Sequence, residues 1–559
     1  MVNLSPAYIA IVGDVTVLTV GIVMGFWMME LPCYADFCIE HTYATAKHSS
    51  QIALGVFYIW VLGAIFILAG LRTKPSLHRF FHKKTGIASM SRGEIVFMLS
   101  CAALVMFNLI FYLFESDRLL NTPVYTKRNL PVPRKIAIYA TQVTGKVLDV
   151  SMGVIMLITA KNSALQTLFG ISFENTLRAH RWMGYLYALM AVIHTVVYIV
   201  YTAQYRKVSD LISVLFYGSK NSATHDHAPG WGEGNWMVTM GTYAVILLIP
   251  VILSSLPIVR RKFFNTFYVT HFLVFFSMVF ACLHAASDFY YIIPGLGIYL
   301  VDLLLRIVAL NRHTSVVKAT KEPTGHVRVD FLWPEHLTKN IQGHQWVFVN
   351  APQISKLEWH PYSLAQGSGA EIGTVFFLPK DSNVNEWENK FAQLLLNTET
   401  EVKISVDGPF GGLSFKLEQM DYLICFVSGT GLPPAISLAY QALVESSTTK
   451  VRIFWSVRQQ RANEVSILQD LMVSDECSRL YCEVFYTGNM VDEKAAVVTQ
   501  GRIKANELLE RHMEDKEGAN VGIFTCGSAQ FVDSIHSQVR VFEKNHNHNV
   551  FVQNEGYHF

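Results

Sequence analysis

The sequence predicts a membrane-embedded helical half followed by a soluble half that combines a small antiparallel barrel with a parallel α/β sheet. Three observations predict it. Long apolar runs crowd into residues 1–310; short strands and turns alternate over 314–414; and strands alternate with helices from 421 onward. Of the 559 residues, 51% are hydrophobic and 16% charged, against about a quarter charged in a soluble protein. A disordered, collagen-like or wholly soluble chain is excluded by that balance. The net charge of +2 gives no concentrated basic face, so nucleic acid is not an expected partner. Eight cysteines make no disulfide framework, and no paired CxxC motifs suggest zinc or an iron–sulfur cluster.

The first half carries candidate spans at about 8–30, 52–71, 95–114, 136–159, 178–203, 237–257, 264–286 and 290–310. Each approaches the roughly 20 residues needed to cross a bilayer core. Eight buried soluble helices in succession are not a competing explanation. The first run has no Lys or Arg before it and no clear cleavage site, which reads as a retained anchor. Arg72, Lys74, Arg79, Lys83, Lys84 and Arg92, with Arg260, Arg261 and Lys262, mark cytoplasmic loops. Arg118, Lys127, Arg128, Arg134 and Lys135 argue the other way, and leave seven spans as the alternative to eight. Cys33 and Cys38 fall outside the membrane, as a disulfide or as two thiols.

The second half divides at about 416. SVVKAT, HVRVDF, QWVFVN, GTVFFLP and EVKISV read as barrel strands, interrupted by a helix over EWENKFAQLLL. From DYLICFVSG onward, buried strands and amphipathic helices alternate to NVFVQNEG, which implies a parallel sheet with helices on both faces. Four units follow: N-terminal spans and loop (1–94), a helical membrane core (95–310), the barrel (311–416) and the α/β domain (417–559).

Within the membrane, four histidines stand out. His180 and His194 share one span, and His271 and His284 share another. An ionisable group at that depth is a functional candidate by default. The 14 residues from His180 to His194 make about 21 Å and nearly four turns, so both rings face one way. The 13 residues from His271 to His284 fall about 140° short of four turns. That helix must unwind locally, or its rings must grip from different flanks. If the helices run parallel, His180 pairs with His271 and His194 with His284. Bis-imidazole ligation of two stacked hemes then leaves no open iron position and suits electron transfer. A proton relay is the competing reading.

The soluble half carries nucleotide signals. In WHPYSLA, Tyr362 offers a flat face for a flavin ring, Ser363 a hydroxyl, and His360 a reach toward phosphate. DGPFGG is a Gly-rich turn that lets backbone approach a phosphate, or an ordinary tight turn. VSGTGLPPAISLA runs from strand through Gly-rich turn into a helix whose N-terminus can hold a pyrophosphate, without the GxGxxG spacing. TCGSAQFVDSI repeats the strand–turn–helix arrangement, with Cys526 at the strand end near an expected nicotinamide. Arg458 and Arg461 follow IFWSV, as ligands for a 2′-phosphate or as a solvated loop. Phe559 is a flavin shield or incidental.

HRWMGYLYALMAVIHT, the second His pair, HPYS, GPFG, SGTG and CGS occur in this order. Together they resemble the ferric reductase and NADPH oxidase superfamily of transmembrane flavocytochromes, over roughly residues 95–559, and within it HPYS and HRWMG are most similar to fungal-type ferric and cupric-chelate reductases. The resemblance implies a six-helix core holding two b-type hemes, about two further N-terminal spans, a ferredoxin-reductase-like barrel for FAD and an α/β domain for NADPH. By the same resemblance, His180, His194, His271 and His284 are heme ligands. His360, Pro361, Tyr362, Ser363, Leu364, Ala365 and Gln366 belong to the FAD segment. Gly408, Pro409, Phe410 and Gly411, with Ser428, Gly429, Thr430, Gly431, Arg458, Cys526, Gly527 and Phe559, surround NADPH or its junction with the flavin. Soluble relatives carry Arg where His360 stands, and SGTGLPP adds a double proline. The implied function is an electron wire, from cytosolic NADPH through FAD and two hemes to an outside acceptor. Ferric or cupric chelates are expected ahead of dioxygen, and the plasma membrane ahead of an internal one. A non-enzymatic heme membrane protein is the reading of a different class.

Overall fold

A computed structural model of the chain describes residues 15–24, 44–73, 92–121, 132–159, 173–205, 212, 215–216, 236–310, 312–334, 343–356, 358–365, 371–379, 386–397, 401–411, 413, 415–458, 462–474, 479–488, 498–513 and 518–557. The chain divides into two compact units, Met1–Thr73 with Glu94–Leu303, and Lys74–Gly93 with Leu304–Phe559. Cys33, Cys38, Gln366, Arg461 and Phe559 lie outside the described residues.

The first unit is helical. Its elements are α1 (Val15–Met24), α2 (Ala44–Thr73), α3 (Arg92–Leu120), α4 (Val132–Leu157), α5 (Phe173–Tyr205), α6 (Trp236–Ser255), α7 (Pro257–Lys262), α8 (Phe264–His271), α9 (Leu273–His284) and α10 (Ala286–Leu310). Among the described residues, five stretches are long and apolar enough to cross a bilayer: Arg92–Arg118, Leu177–Val200, Val238–Ser255, Phe264–His284 and Ser287–Val308. They coincide with five of the eight expected spans. Helix α4 has the length, but Lys146 and Asp149 near its middle break its apolar run. The first two expected spans map to α1 and to the apolar stretch Ser49–Gly63 within α2.

The N-terminal helices are built into this unit rather than added to it. Leu18, Leu54, Phe57 and Tyr58 share one apolar core with Val147, Val150 and Tyr291. The Tyr58 hydroxyl donates to the Tyr290 carbonyl at 2.7 Å. A methyl group at Gly153 would meet Phe57 and Tyr291 at 3.0 and 2.9 Å, so glycine there lets α2, α4 and α10 approach closely.

The seventh expected span is divided. Helices α8 and α9 meet at Phe272, where Phe272 N–H bonds to Val269 and Phe275 N–H to Phe272. These shorter i to i+3 bonds wind the chain more tightly than an α-helix. The expected local unwinding is not what occurs: the helix tightens at Phe272, which adds rotation in the direction that the 13-residue spacing falls short.

In the second unit, β1 (His313–Lys321), β2 (Val327–Leu332), β3 (Trp346–Asn350), β4 (His360–Ser363), β5 (Ile372–Phe377) and β6 (Lys403–Phe410) form one antiparallel sheet in the order β4-β3-β6-β1-β2-β5. Its ends join, because Leu364 bridges Val375 and Ala365 N–H donates to Thr374 at 2.9 Å. The sheet is thus a closed barrel, which leaves no exposed edge. Val329, Phe331, Val347, Val349, Val375, Ile404 and Val406 fill it. Helix α11 (Trp387–Asn397) plugs one side with Phe391 and Leu395.

The sheet that follows has six parallel strands, β7 (Tyr422–Ser428), β8 (Lys450–Val457), β9 (Leu480–Tyr486), β10 (Val498–Gln500), β11 (Asn520–Ser528) and β12 (Asn549–Tyr557), ordered β10-β9-β8-β7-β11-β12. Helices α12 (Leu432–Glu445), α13 (Ser466–Ser474), α14 (Ala505–His512) and α15 (Ala529–Asn545) connect them. Successive strands step one way from β7 to β10, and the chain then returns to place β11 on the other side of β7. The order therefore reverses between β7 and β11. In open α/β sheets, ligands bind beyond the carboxyl ends of strands at such a point.

Candidate cofactor sites

The membrane unit brings the four histidines together as the sequence spacing predicts. The ring centroids of His180 and His271 lie 6.2 Å apart, and those of His194 and His284 lie 6.1 Å apart. Each pair meets edge to face, with interplanar angles of 70° and 73°, a separation ordinary for ring packing. Two imidazoles holding one metal between them through bonds of about 2.0 Å would have their centroids at a similar distance. Among the described residues no cluster of three or more His, Cys, Asp or Glu gathers to hold a bare ion. A two-nitrogen site suits an iron whose other positions a macrocycle fills.

Helix α4 fixes one of these rings. Thr144 Oγ1 lies 2.7 Å from the Ala140 carbonyl and 3.0 Å from His194 Nδ1, within hydrogen-bond reach of both. With Nδ1 as the donor, the Nε2 lone pair is left for a ligand role. Thr144 was not among the expected site residues, because a threonine in a span carries no sequence signal of its own. Two glycines flank the same pair. A methyl group at Gly145 would rest 3.4 Å from the His194 ring, and one at Gly241 would meet His284 Nδ1 at 2.7 Å.

In the barrel, β4 positions HPYS. Alternation along a strand sends His360 and Tyr362 to one side and Pro361 and Ser363 to the other. Tyr362 is 6% exposed and packs in the barrel core against Phe377 and Trp387. Its ring does not present the open face expected for a flavin, and burial drives its hydroxyl well above the usual tyrosine range. The reason is that inward-facing strand residues fill the barrel, and α11 covers this one. His360 stacks on Trp387 at 4.1 Å, nearly parallel. Burial holds its imidazole down to about 4, so the ring is neutral at neutral pH. Ser363 is half-buried, while Leu364 and Ala365 are interior.

The GPFG turn ends β6. Gly408 and Gly411 both take positive φ, +135° and +91°. Trp346 lies against this turn: a methyl group on Gly411 would meet its indole at 3.3 Å, and Phe410 packs on the same ring at 5.0 Å. Trp346, Phe348 and Phe410 thus make an aromatic wall beside Pro409.

The two Gly-rich turns of the parallel sheet meet at its reversal point. A methyl group on Gly431 would come within 2.7 Å of the Cys526 carbonyl, and one on Gly527 within 2.1 Å of Ser428 Oγ. Gly429 has φ +53° and open space in front of it. The Trp455 indole N–H donates to the Gly429 carbonyl at 2.9 Å and holds the turn from beneath. Thr430 sits between them, and Cys526 is fully buried. Arg458 is exposed just past β8, at the same carboxyl edge. Helix α12 starts without a side-chain cap, and Pro433 and Pro434 remove two of its first N–H groups. Glu555, unremarked in the sequence, pairs in register with Cys526 and is hydrogen-bonded to His344 of the barrel.

Comparison with known proteins agrees with this architecture. The family model "Ferric reductase like transmembrane component" matches residues 144–282, and "FAD-binding domain" matches residues 313–414. The chain is 25% identical to ferric reduction oxidase 2 of Arabidopsis thaliana over 389 residues, which cover 68% of this chain and 50% of that protein. It is 23% identical over 344 residues to a superoxide-generating NADPH oxidase heavy chain of Dictyostelium discoideum, covering 53% of this chain and 65% of that one. Among solved structures, the flavohemoglobin of Malassezia yamatoensis aligns over 76% of this chain and all of that one, at 13% identity and a TM-score of 0.38. The chain spans about half the length of the ferric reduction oxidases it matches. With an FAD-binding domain behind its membrane-crossing helices, the chain is a multi-pass membrane protein that belongs to the ferric reductase and NADPH oxidase superfamily.

Proposed function

We propose that the chain is a transmembrane oxidoreductase: it takes electrons from NADPH on the cytosolic side, through FAD and two b hemes, to an acceptor on the far side. Ferric or cupric chelates are the acceptors we favour, in the plasma membrane. The observation that carries the reading is the meeting of four span histidines as two facing pairs, His180 with His271 and His194 with His284. When bound, the flavin converts two-electron hydride chemistry to single electrons, which the hemes carry one at a time.

The chain's own residues do the positioning. His180 with His271, and His194 with His284, would each hold one iron, and the Thr144 hydroxyl, 3.0 Å from His194 Nδ1, would fix that ring. Ser363 and the turn Gly408–Gly411 line the FAD site, with Trp346 as its aromatic support. Gly429 and Thr430 offer backbone to the dinucleotide phosphates, and Arg458, exposed just past β8, is the candidate partner of a 2′-phosphate. Gly431 and Gly527 let the two turns close on each other, so that a nicotinamide bound beyond Cys526 faces the barrel.

The test is NADPH-driven reduction in isolated membranes, with ferric citrate and dioxygen offered separately. Fe(II) that forms without oxygen and resists superoxide dismutase supports the metalloreductase. Iron reduction abolished by the dismutase makes dioxygen the acceptor instead. Membranes in which NADPH reduces no heme refute the electron-carrying reading.

A further inference from the structure

Helices α6 and α8 belong to two membrane-crossing stretches, Val238–Ser255 and Phe264–His284. What joins them is α7, Pro257–Lys262, bounded by Leu256 and Phe263. So short a link keeps α7 at the bilayer surface. The chain then crosses along α8 and α9 and returns along α10, whose apolar stretch Ser287–Val308 precedes β1. Helix α7 therefore stands on the side of the membrane from which the chain leaves toward β1.

No residue of α7 is buried. Ile258 is 81% exposed, and Leu256 before it and Phe263 and Phe264 after it are exposed too. Three consecutive cations, Arg260, Arg261 and Lys262, form the last turn. None of them makes an ion pair among the described residues, whereas Arg118, Lys146 and Arg178 of the same unit pair with Glu115, Asp149 and Glu94. Lys262 Nζ lies over the Phe263 ring, 5.5 Å from its centroid. At about 100° per residue, Ile258 falls between Arg261 and Lys262 on one face of the helix, and both cations are exposed. A helix C-terminus favours positive charge, but that accounts neither for the absent acidic partners nor for an apolar side chain held out between two cations.

We propose that α7 is an interfacial anchor for anionic phospholipid. Ile258, with Leu256 and Phe263, enters the acyl boundary, while Arg260, Arg261 and Lys262 take the headgroup phosphates. An apolar contact flanked by anion contacts is what a phospholipid offers in one molecule. Residues 256–263 are also tied at both ends to membrane-crossing helices, where acyl chains already surround the chain, so lipid fits this face better than an acidic protein. Each cation beside an anionic headgroup layer strengthens binding about fivefold. Lipid binding at α7 needs neither heme nor flavin, so it stands or falls apart from the electron-carrying function.

Native mass spectrometry of the full chain in detergent, with phosphatidylserine or phosphatidylcholine of the same acyl chains added in turn, tests the anchor. The wild type should bind phosphatidylserine at least about tenfold more tightly. The combined Arg260→Gln, Arg261→Gln and Lys262→Gln variant should lose that preference, and Arg260→Lys with Arg261→Lys should keep it. Ile258→Asn should weaken both lipids alike. In the wild type, a phosphatidylserine carrying a diazirine in its headgroup should label a peptide that contains residues 256–264, a readout that depends on no variant folding. Equal affinity for the two lipids, a preference that survives the triple Gln change, or labelling confined to other segments overturns the anchor. Displacement of the lipid by equimolar glycerophosphoserine or a Glu-rich peptide assigns the cations to a soluble partner and overturns it as well.

Discussion

Gly241→Ala separates a histidine held as a ligand from one merely packed in a helical core. Gly241 lies inside α6, where alanine is ordinarily favoured by about 0.5–1 kcal/mol. Helix propensity alone therefore predicts a slightly more stable protein. The structure predicts harm. The new methyl would stand 2.7, 3.0 and 3.1 Å from Nδ1, Cε1 and Cγ of His284, about 0.7 Å inside ordinary contact at the closest atom. Relief requires either the ring or α6 to move by that amount. A ring free to turn would yield at small cost; a ring that must hold a metal cannot, and overpacking then costs about 1–3 kcal/mol. That corresponds to roughly a 5- to 150-fold weaker hold on the outer heme. Gly145→Ala is the internal control, since its methyl would meet His194 Cε1 at 3.4 Å, an ordinary contact. The assay is reduced-minus-oxidised absorbance per mole of protein in isolated membranes. Gly241→Ala should keep about half of the heme signal and Gly145→Ala nearly all of it. Full heme in Gly241→Ala, or equal loss in both variants, would refute the placement of His284 at an iron.

Other expectations follow from the same geometry. His194→Ala and His180→Ala should each remove one heme, and the double variant both, when heme is quantified against protein. Arg458→Ala should raise the KM for NADPH about tenfold with little change for NADH, the effect of losing one charge-assisted phosphate contact worth about 1.4 kcal/mol. In the second unit, burial holds His326 and His360 down to about 4, below the ordinary value near 6.5. The unfolded chain then binds more protons than the folded one between those values, so stability is complete above about pH 6.5 and falls as the pH drops toward 4. Melting of the full chain, followed by tryptophan fluorescence across that range, should show the decline, and His326→Phe should lessen it.

How much of this was legible in the sequence depends on whether a residue acts through its own chain or across it. The helical spacing of His180 and His194 is a property of one segment, and the structure keeps both on the single helix α5. For His271 and His284 the spacing showed that an ideal helix would not align the rings, but the expected unwinding was the wrong sense: the chain tightens at Phe272, which nothing distinguishes from its aromatic neighbours. The barrel and the parallel sheet were legible as periodicities. Their closure was not, since the Leu364–Val375 bridge joins strands whose contact no local pattern encodes. Tyr362 shows the opposite failure. An aromatic in a cofactor motif suggested an open face, whereas the pleat and α11 turn it inward. Thr144, Trp346, Trp455 and Glu555 act only across the fold, and each is an unremarkable residue in its own segment.

The double proline after SGTG bears on how the dinucleotide is held. A helix N-terminus normally offers four unpaired N–H groups to an anion. Here Pro433 and Pro434 delete two of them, so the dipole of α12 meets phosphate with a thinned set of donors. What remains is the turn itself. Gly429 takes a positive φ with space before it, and Trp455 anchors its carbonyl, which orients the neighbouring peptide groups. That turn cannot shift independently, because Gly431 abuts the Cys526 carbonyl and Gly527 abuts the Ser428 hydroxyl. The β7 and β11 turns are thus interlocked at both ends, one in the expected phosphate position and the other beneath the expected nicotinamide. Under the proposed function, a dinucleotide that orders one turn would then order the other, and the close packing of the turns would offset the shortened donor set.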